Sequence, residues 1–514
     1  MASGQTTPRH ADVIVIGCGP VGAMAAILLG QRGLSVIVVE RDREVYPLPR
    51  AAVYDGEIAR IFQNCDLQKR FLDHVEAMKG AGFRGGEGQP LGPDLVFPEG
   101  YAGSQGHPEN FVFHQPLLEG GMRARALELG ITLLLGHVAS APQQNDEGVR
   151  VTATPVDGGS PMVIEGRWLI AADGASSPVR KHLGIAWESL GYDRDWIVMD
   201  VILDDPKADL PPLAVQVCDP KRIHTYVPMC GVRRRWEFII NPGEDPKAMM
   251  REASLWGLLG RYLKPTQARI ERAAAYQFHA SIAERLAEGR IFLVGDAAHQ
   301  TPPFLGQGMC TGIRDALNIA WKLDHVNRGV MPARMLSTYD SERRPHAMDT
   351  VDHAVAVGKL MDAFADAQLT SNWPTDLSAL YGGSRNRAQL AAGVFAHPTG
   401  RDCDRETGKP VPQPLLHTPQ GPQPMDAVTG TGFRVVSRDD VAGGLPPDLM
   451  ARLAAAGVTF VVLPASRLAS AQLDELLSRT TTIVVRPDNY VFGVADADRP
   501  APALLAQLAT HFNP

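Results

Sequence analysis

Residues 12–16 (DVIVI) run directly into Gly17-Cys18-Gly19-Pro20-Val21-Gly22, and a stretch rich in Ala, Leu and Met follows to about Gln31. An unbroken β-branched apolar run is a strand buried on both faces, and the segment after the glycines has helical composition. Gly33 ends that helix, and residues 34–39 (LSVIVV) form a second buried strand closed by Glu40. The unit is therefore β-α-β, and each glycine has a physical task. Gly17 allows the tight turn, Gly19 lets the backbone approach a pyrophosphate, and Gly22 lets the helix pack closely. Pro20 and Val21 open a helix whose N-terminal dipole faces the phosphates. Glu40 stands where a carboxylate hydrogen-bonds a ribose, and Arg41 beside it joins the expected cofactor-binding set. The pattern predicts a dinucleotide-binding fold without separating FAD from NAD; a glycine turn in an unrelated α/β sheet is the plainer alternative.

The rest of the chain is organised around that unit. From Val149 to Asp173 the pattern is antiparallel, with a Gly-Gly turn between two strands. Strand-like segments at 196–203, 213–217, 224–228 and 236–241 predict a second, sheet-rich unit. Residues 290–294 (RIFLV) return to a buried strand, and 312–326 form a long amphipathic helix, so the first unit is interrupted and resumed. The seven prolines in 397–424 predict an extended linker. Beyond it, strands near 433–436, 459–463, 482–485 and 491–495 alternate with helices at 446–456 and 467–478, a small α/β unit without cysteine. The expected division is 10–185, first part of the dinucleotide-binding domain; 186–280, substrate domain; 281–396, its second part with a helical extension; 397–424, linker; 425–514, C-terminal domain.

Composition narrows the partners. A net charge of −7 with no broad basic field argues against nucleic acid. No stretch approaches the roughly 18 apolar residues of a bilayer span, and the polar first ten residues lack a signal-peptide core, so a cytoplasmic protein with no membrane partner is expected. Six cysteines with no C-x-x-C spacing argue for reduced thiols and against structural zinc; no metal is expected.

Residues 290–308 (RIFLVGDAAHQTPPFLGQG) carry a strand into Gly295-Asp296, then through Pro302-Pro303 into a second glycine-rich loop. Here the sequence resembles the flavin-dependent aromatic hydroxylases of the para-hydroxybenzoate hydroxylase type, the class A flavoprotein monooxygenases. The resemblance implies that Asp296 binds the FAD ribityl chain and that the amides of Gly308, Met309 and Cys310 face the flavin pyrimidine. The family usually has Asn at the position of Cys310, so only main-chain roles carry over there. A helix start with unpaired amides would stabilise the negative charge of a reduced flavin. Residues 169–180 (LIAADGASSPVR) look like the family's D-G motif, giving Asp173, Gly174 and Arg180. Pro49-Arg50-Ala51 matches the flavin-proximal arginine segment, and Phe113-His114-Gln115-Pro116 the stretch whose glutamine contacts the ribityl side, giving Arg50 and Gln115. Val138, Pro303 and Gly306 complete the expected cofactor set.

The resemblance spans residues 10–350. It implies an α/β fold in which a Rossmann-like FAD domain is interrupted by a sheet-rich substrate domain. Residues 425–514 resemble the thioredoxin-like domain appended to the phenol and 3-(3-hydroxyphenyl)propionate hydroxylases, and segments 217–222, 234–238 and 241–244 look most like the propionate members. The implied reaction uses NAD(P)H and O2 to hydroxylate a phenolic small molecule, with 3-(3-hydroxyphenyl)propionate or a related phenol as the candidate, beside an existing hydroxyl, by way of a C4a-hydroperoxyflavin. Pro303 matches the proline whose carbonyl faces the substrate ring. Asp55, His224 and Tyr226 are further substrate-side candidates, with surface or supporting roles as the plainer reading. Arg222 or Arg233–Arg235 could pair with a substrate carboxylate, although a charge run is usually a solvated strand edge. His299 is read as structural. No motif assignable to the cofactor lies beyond the prolines, so deletion after about residue 425 is expected to spare the flavin chemistry. A polyketide-type tailoring hydroxylase and a non-catalytic dinucleotide-binding protein are the alternatives. The ring substituents, the choice of NADH or NADPH, the phenol-activating base and homo-oligomerisation stay open.

Overall fold

The computed structural model describes residues 8–48, 50–375, 377, 389–390, 392–396, 406–468, 471–496 and 499–513; Pro49 and Cys403 lie outside them. Strand Arg9–Ile16 lies centrally in a nine-stranded sheet, pairing in parallel with Val36–Glu40 on one side and Met162–Ala171 on the other. Val13, Ile14 and Val15 are fully buried, as a parallel strand covered on both faces requires. Helix Pro20–Gly30 is buried from Gly22 to Leu29 and packs on the 20-residue helix Gly308–Asn327. Strand Ile291–Leu293 pairs in parallel with Met162–Ala171, so the chain returns to the first sheet after a long excursion.

That excursion builds an eight-stranded sheet. Its central strands are Ala268–Ala283, Trp187–Leu203, Arg233–Ile239, His224–Pro228 and Ala214–Cys218 in that spatial order, continued by Gly80–Gly85. Alternation gives the sheet two distinct faces. Ile197, Met199, Val201, Tyr226, Trp236 and Phe238 form a core with Leu255 and Leu259 of helix Glu252–Leu259. The opposite face carries Gln216, Thr225, Arg235 and Glu237 toward the first sheet and toward helix Thr338–Thr370.

The C-terminal unit has strand order Thr459–Val462, Arg434–Ser437, Thr482–Val485, Val491–Ala495, parallel in the first pair and antiparallel thereafter, with helices Pro447–Ala455, Ala471–Arg479 and Ala501–Ala509, a thioredoxin-like arrangement. It is fused to the rest of the molecule: Phe433, Val435, Phe492 and Leu504 share one apolar core with Trp321 and Val326. Buried charges cross the same boundary, Arg486 meeting Glu342 at 2.7 Å and Arg60 meeting Asp426 at 2.7 Å.

The proline-rich stretch departs from the extended linker expected of it. Leu415–Thr418 and Gly421–Pro424 pair as a hairpin, Val411 and Leu416 are buried, and the Val411 carbonyl accepts from Arg60 Nη1 at 2.7 Å. Prolines here shape a packed segment, because apolar residues between them find a surface to cover. Residues 397–405 of that stretch lie outside the described ones. Among the described residues no helix is long and apolar enough to cross a membrane.

Candidate active site

A cavity of about 1300 Å³ runs from Glu40 and Arg41 at one end, past the first glycine turn and Asp296, to the polar face of the second sheet and helix Thr338–Thr370 at the other. Its first arm is made by the β-α-β unit. Gly17 has φ +98°, and a Cβ there would stand 2.3 Å from the Ala172 carbonyl oxygen; at Gly22 it would stand 2.1 Å from the Gly17 oxygen. A Cβ at Gly19 would meet nothing within 4 Å, so the backbone there faces open space. Helix Pro20–Gly30 has no side-chain cap and no acid in its first turn, leaving its N-terminal amides and dipole for an anion. Glu40 closes this arm and also orders it: its Oε2 accepts from Cys18 N at 2.6 Å and its Oε1 from Asp42 N at 2.9 Å.

Asp296 follows the returning strand. Its side chain is exposed into the cavity, whose protein walls surround it, and its carboxylate has no hydrogen-bond partner among the described residues. Burial raises its pKa, against the pull of His299 and Arg50. His299 is buried with Nε2 2.7 Å from Asp315 Oδ2, and Asp315 also accepts from Gly295 N at 3.1 Å and Arg343 Nε at 2.9 Å. These contacts anchor the turn that presents Asp296. Asp173 borders the same cavity, one oxygen accepting from Val179 N at 3.0 Å and the other buried without a partner among the described residues; burial raises its pKa too. Three uncommitted carboxylate oxygens, a glycine cradle and a free helix start fit a dinucleotide with ribose and ribityl hydroxyls.

The second glycine loop borders the middle of the cavity with Pro303, Gly306, Gly308 and Met309. Helix Gly308–Asn327 has no side-chain cap and no acid in its first turn. Cys310 lies outside the lining, buried in the core behind that turn with Sγ 3.7 Å from the Gly306 oxygen. The Pro303 carbonyl accepts from Gly306 N at 2.9 Å. Gln307 is held by Arg314 at 3.0 Å, and Arg314 in turn by Glu57 at 2.8 Å and by Asp55. Tyr490 of the C-terminal unit donates to Glu57 at 3.0 Å. Asp55 also caps helix Gly56–Asn64, accepting from Glu57 N and Ile58 N. It borders the cavity, but its oxygens are spent on scaffolding.

The structure brings Gly17, Gly19, Pro20, Val21, Gly22, Glu40, Arg41, Arg50, Gln115, Val138, Asp173, Asp296 and Pro303 to one cavity. Gln115 is oriented differently from its expected contact: Oε1 accepts from Arg50 N at 2.8 Å and Ala51 N at 2.5 Å, and Nε2 donates to Glu119, so it shapes the arginine segment. His224 and Tyr226 are corrections. Both sit on the helix-covered face of the second sheet, His224 hydrogen-bonded to Tyr262 and stacked on Phe238, and Tyr226 against Trp236. The strand is as expected, but alternation turns the odd positions Thr225 and Val227 to the cavity. Arg235 departs from the solvated reading of its run: it is 2% exposed and pairs with Asp200 at 2.8 Å. Arg222 is committed to Glu244 at 2.5 and 2.9 Å. Sequence reasoning missed Gln216, Thr225, Glu237, His346, Asp349 and His353, all on the lining. The alternation of RRRWEFI around its buried Trp236 is the signal that could have found Arg235 and Glu237.

Residues 10–354 match the family model described as FAD binding domain. Over 505 residues, covering 95% of this chain and 92% of the other, the chain is 31% identical to a probable NADH-specific resorcinol 4-hydroxylase of Rhodococcus jostii. It is likewise 31% identical over 542 residues, 95% and 94% of the two chains, to a 3-(3-hydroxy-phenyl)propionate/3-hydroxycinnamic acid hydroxylase of Burkholderia cenocepacia. Among solved structures, the flavin-dependent monooxygenase PieE with FAD and substrate superposes with a TM-score of 0.82 at 22% identity, over 98% of this chain and 99% of that one. Aklavinone-11 hydroxylase with FAD and aklavinone gives 0.77 at 23%, over 98% and 100%.

Proposed function

Since this chain belongs to the FAD binding domain family and, with its relatives, to the flavin-dependent aromatic hydroxylases, we propose that it hydroxylates a phenolic ring held on the polar face of the second sheet, with NAD(P)H as reductant and O2 as oxygen donor. The observation that carries this reading is that the glycine turn, Asp296, the second glycine loop and that sheet face all open into one cavity. FAD supplies the oxygen-transfer chemistry when bound. The chain's own residues do the rest. In this reading Gly17, Gly19 and the helix start at Pro20 receive the pyrophosphate, Glu40 a ribose, and Asp296 the ribityl hydroxyls. Arg50 and the amides of Gly308 and Met309 border the ring system, where an amide-rich helix start offsets negative charge. Pro303 and the sheet face hold the substrate away from bulk water.

The test is direct. Purified protein is expected to be yellow, to retain FAD stoichiometrically, and to oxidise NADH or NADPH faster when a suitable phenol is present, with hydroxylated product counted against nicotinamide consumed. A folded, colourless protein that takes up no FAD refutes the reading.

A further inference from the structure

We propose that Glu237 receives the substrate's ring hydroxyl and that the cavity selects an uncharged polyhydroxylated benzene ring over a phenol bearing a carboxylate. This deepens the functional reading above and rests on it. Gln216, Thr225 and Glu237 are directly opposed on three neighbouring strands, Gln216 with Thr225 and Thr225 with Glu237, so their side chains share one face. Thr225 Oγ1 donates to Gln216 Oε1 at 2.5 Å, and Gln216 Nε2 donates to the Phe304 carbonyl at 3.3 Å, which ties this row to the loop that carries Pro303. Gln216 is thereby committed at both ends. Glu237 is left over: it is 7% exposed, it lines the cavity, and no hydrogen bond or ion pair reaches its carboxylate among the described residues. A buried carboxylate without a partner is expensive to keep unless something else hydrogen-bonds it.

The cations nearby are spent elsewhere. Arg235, two residues away on the same face, grips Asp200 at 2.8 and 3.1 Å and the Arg50 carbonyl at 2.6 Å. Arg272 on the far side of Asp200 shares that carboxylate at 3.2 Å. Opposite Glu237 on the next strand stands Val198, which is apolar. Across the cavity, helix Thr338–Thr370 presents His346, Asp349, Thr350 and His353 on one face. Burial lowers the pKa of His353, so that residue adds no fixed positive charge to this wall. Arg314 is engaged by Asp55, Glu57 and Gln307, and Arg50 lies over the Tyr46 ring and is drawn to Asp296. A substrate carboxylate brought to this face would meet the carboxyl group of Glu237 in a poorly solvated space, where like charges repel strongly.

A ring hydroxyl meets the opposite situation. It donates its hydrogen bond to Glu237, and as the ring is attacked its O–H bond breaks, the proton passing to a Glu237 oxygen while the electron pair remains on the ring oxygen and enriches the adjacent carbon. Burial raises the pKa of Glu237, against Arg235, which brings this carboxylate closer to the range of an effective base.

The experiment uses the FAD-loaded full chain, wild type and Glu237→Gln, with resorcinol and 3-(3-hydroxyphenyl)propionate as probes, product being quantified in each case. Wild type is expected to favour resorcinol in kcat/KM by about tenfold or more. Glu237→Gln is expected to lose about a hundredfold on resorcinol with its FAD content unchanged, to lose the acidic limb of the pH profile, and to narrow the gap to the carboxylated probe. Preference for the carboxylated probe, or an unchanged kcat/KM and pH profile in Glu237→Gln, overturns this inference while leaving the hydroxylase reading intact. A yellow wild type that hydroxylates neither probe nor any other phenol overturns both.

Discussion

Replacing Asp426 by Ala should unfasten the thioredoxin-like unit from the cofactor-binding core. Its carboxylate accepts from Arg60 Nε and Nη2, each at 2.7 Å, from Asn64 at 2.8 Å and from Arg434 at 2.8 Å, all in a buried setting. Burial alone would push its pKa up, but Arg60 and Arg434 outweigh that and hold it well below the usual carboxylate range. The sign follows: a depressed carboxylate contributes stability above the ordinary carboxylate pKa and surrenders it only as pH falls far below, so this junction should survive mild acid. Ala at 426 leaves two buried guanidiniums without their counter-charge. Arg60 keeps Gln105 and the Val411 carbonyl, and Arg434 keeps the Gly430 carbonyl, but neither keeps an anion from Asp426. Breaking a buried pair in this way costs about 3–5 kcal/mol, a large part of the roughly 5–15 kcal/mol of a whole domain. Through Tyr490, Glu57, Arg314 and Gln307 the loss should reach the second glycine loop, so FAD retention should fall as well. Urea unfolding followed by tryptophan fluorescence, with flavin release recorded in parallel, measures both. A loss below about 1 kcal/mol with flavin retention unchanged would refute the coupling. The same contacts reverse the expectation that deletion after about residue 425 spares the flavin chemistry: truncation there should give a protein that loses flavin.

Three further outcomes are expected. Glu40→Ala should weaken FAD binding by about 1–3 kcal/mol, because a ribose acceptor and the clamp on Cys18 N are lost together; an unchanged Kd for FAD would remove Glu40 from the site. Asp296→Ala should shed FAD more readily than Asp173→Ala, since Asp296 has no protein partner among the described residues whereas Asp173 also holds Val179 N; dialysis followed by absorbance gives the order, and the reverse order exchanges their roles. His224, pushed down to about 4 by burial, stays neutral in the fold but charges near 6.5 when unfolded, so the stability it protects is complete above pH 6.5 and falls by up to about 3 kcal/mol as pH drops toward 4. Urea midpoints at pH 7 and 4.5 should show that loss, and His224→Gln should flatten it; a variant with the same pH dependence as wild type contradicts the assignment.

What the sequence made legible follows from how local each signal is. The β-α-β unit is readable because an unbroken run such as DVIVI, a glycine turn and an alanine-rich helix are each set by neighbouring residues. Strands such as His224–Pro228 and Val491–Ala495 are readable for the same reason. Which face of a strand meets the cavity is not local. His224 and Tyr226 point away from it because helix Glu252–Leu259 covers their side of the sheet, and nothing within the strand declares that. Arg235 looked like part of a solvated run because its partner Asp200 stands on a different strand, 35 residues earlier. The support beneath Gln307 joins Arg314 to Asp55 and Glu57 across 259 and 257 residues, and long-range pairing of that kind leaves no spacing to read. The proline-rich stretch misled because composition reports what the backbone cannot do, while Val411 and Leu416 pack against a surface built from other parts of the chain.

One cavity joins a flavin to a phenolic ring for oxygen transfer in the function proposed above. A single turnover of the FAD-loaded protein with reduced nicotinamide, resorcinol and 18O2, the product being analysed by mass spectrometry, measures that transfer. One 18O atom is expected in the new hydroxyl of each product molecule, with one nicotinamide consumed per hydroxylation. Hydrogen peroxide in place of product for every phenol supplied, or a product whose new oxygen comes from water, would contradict it.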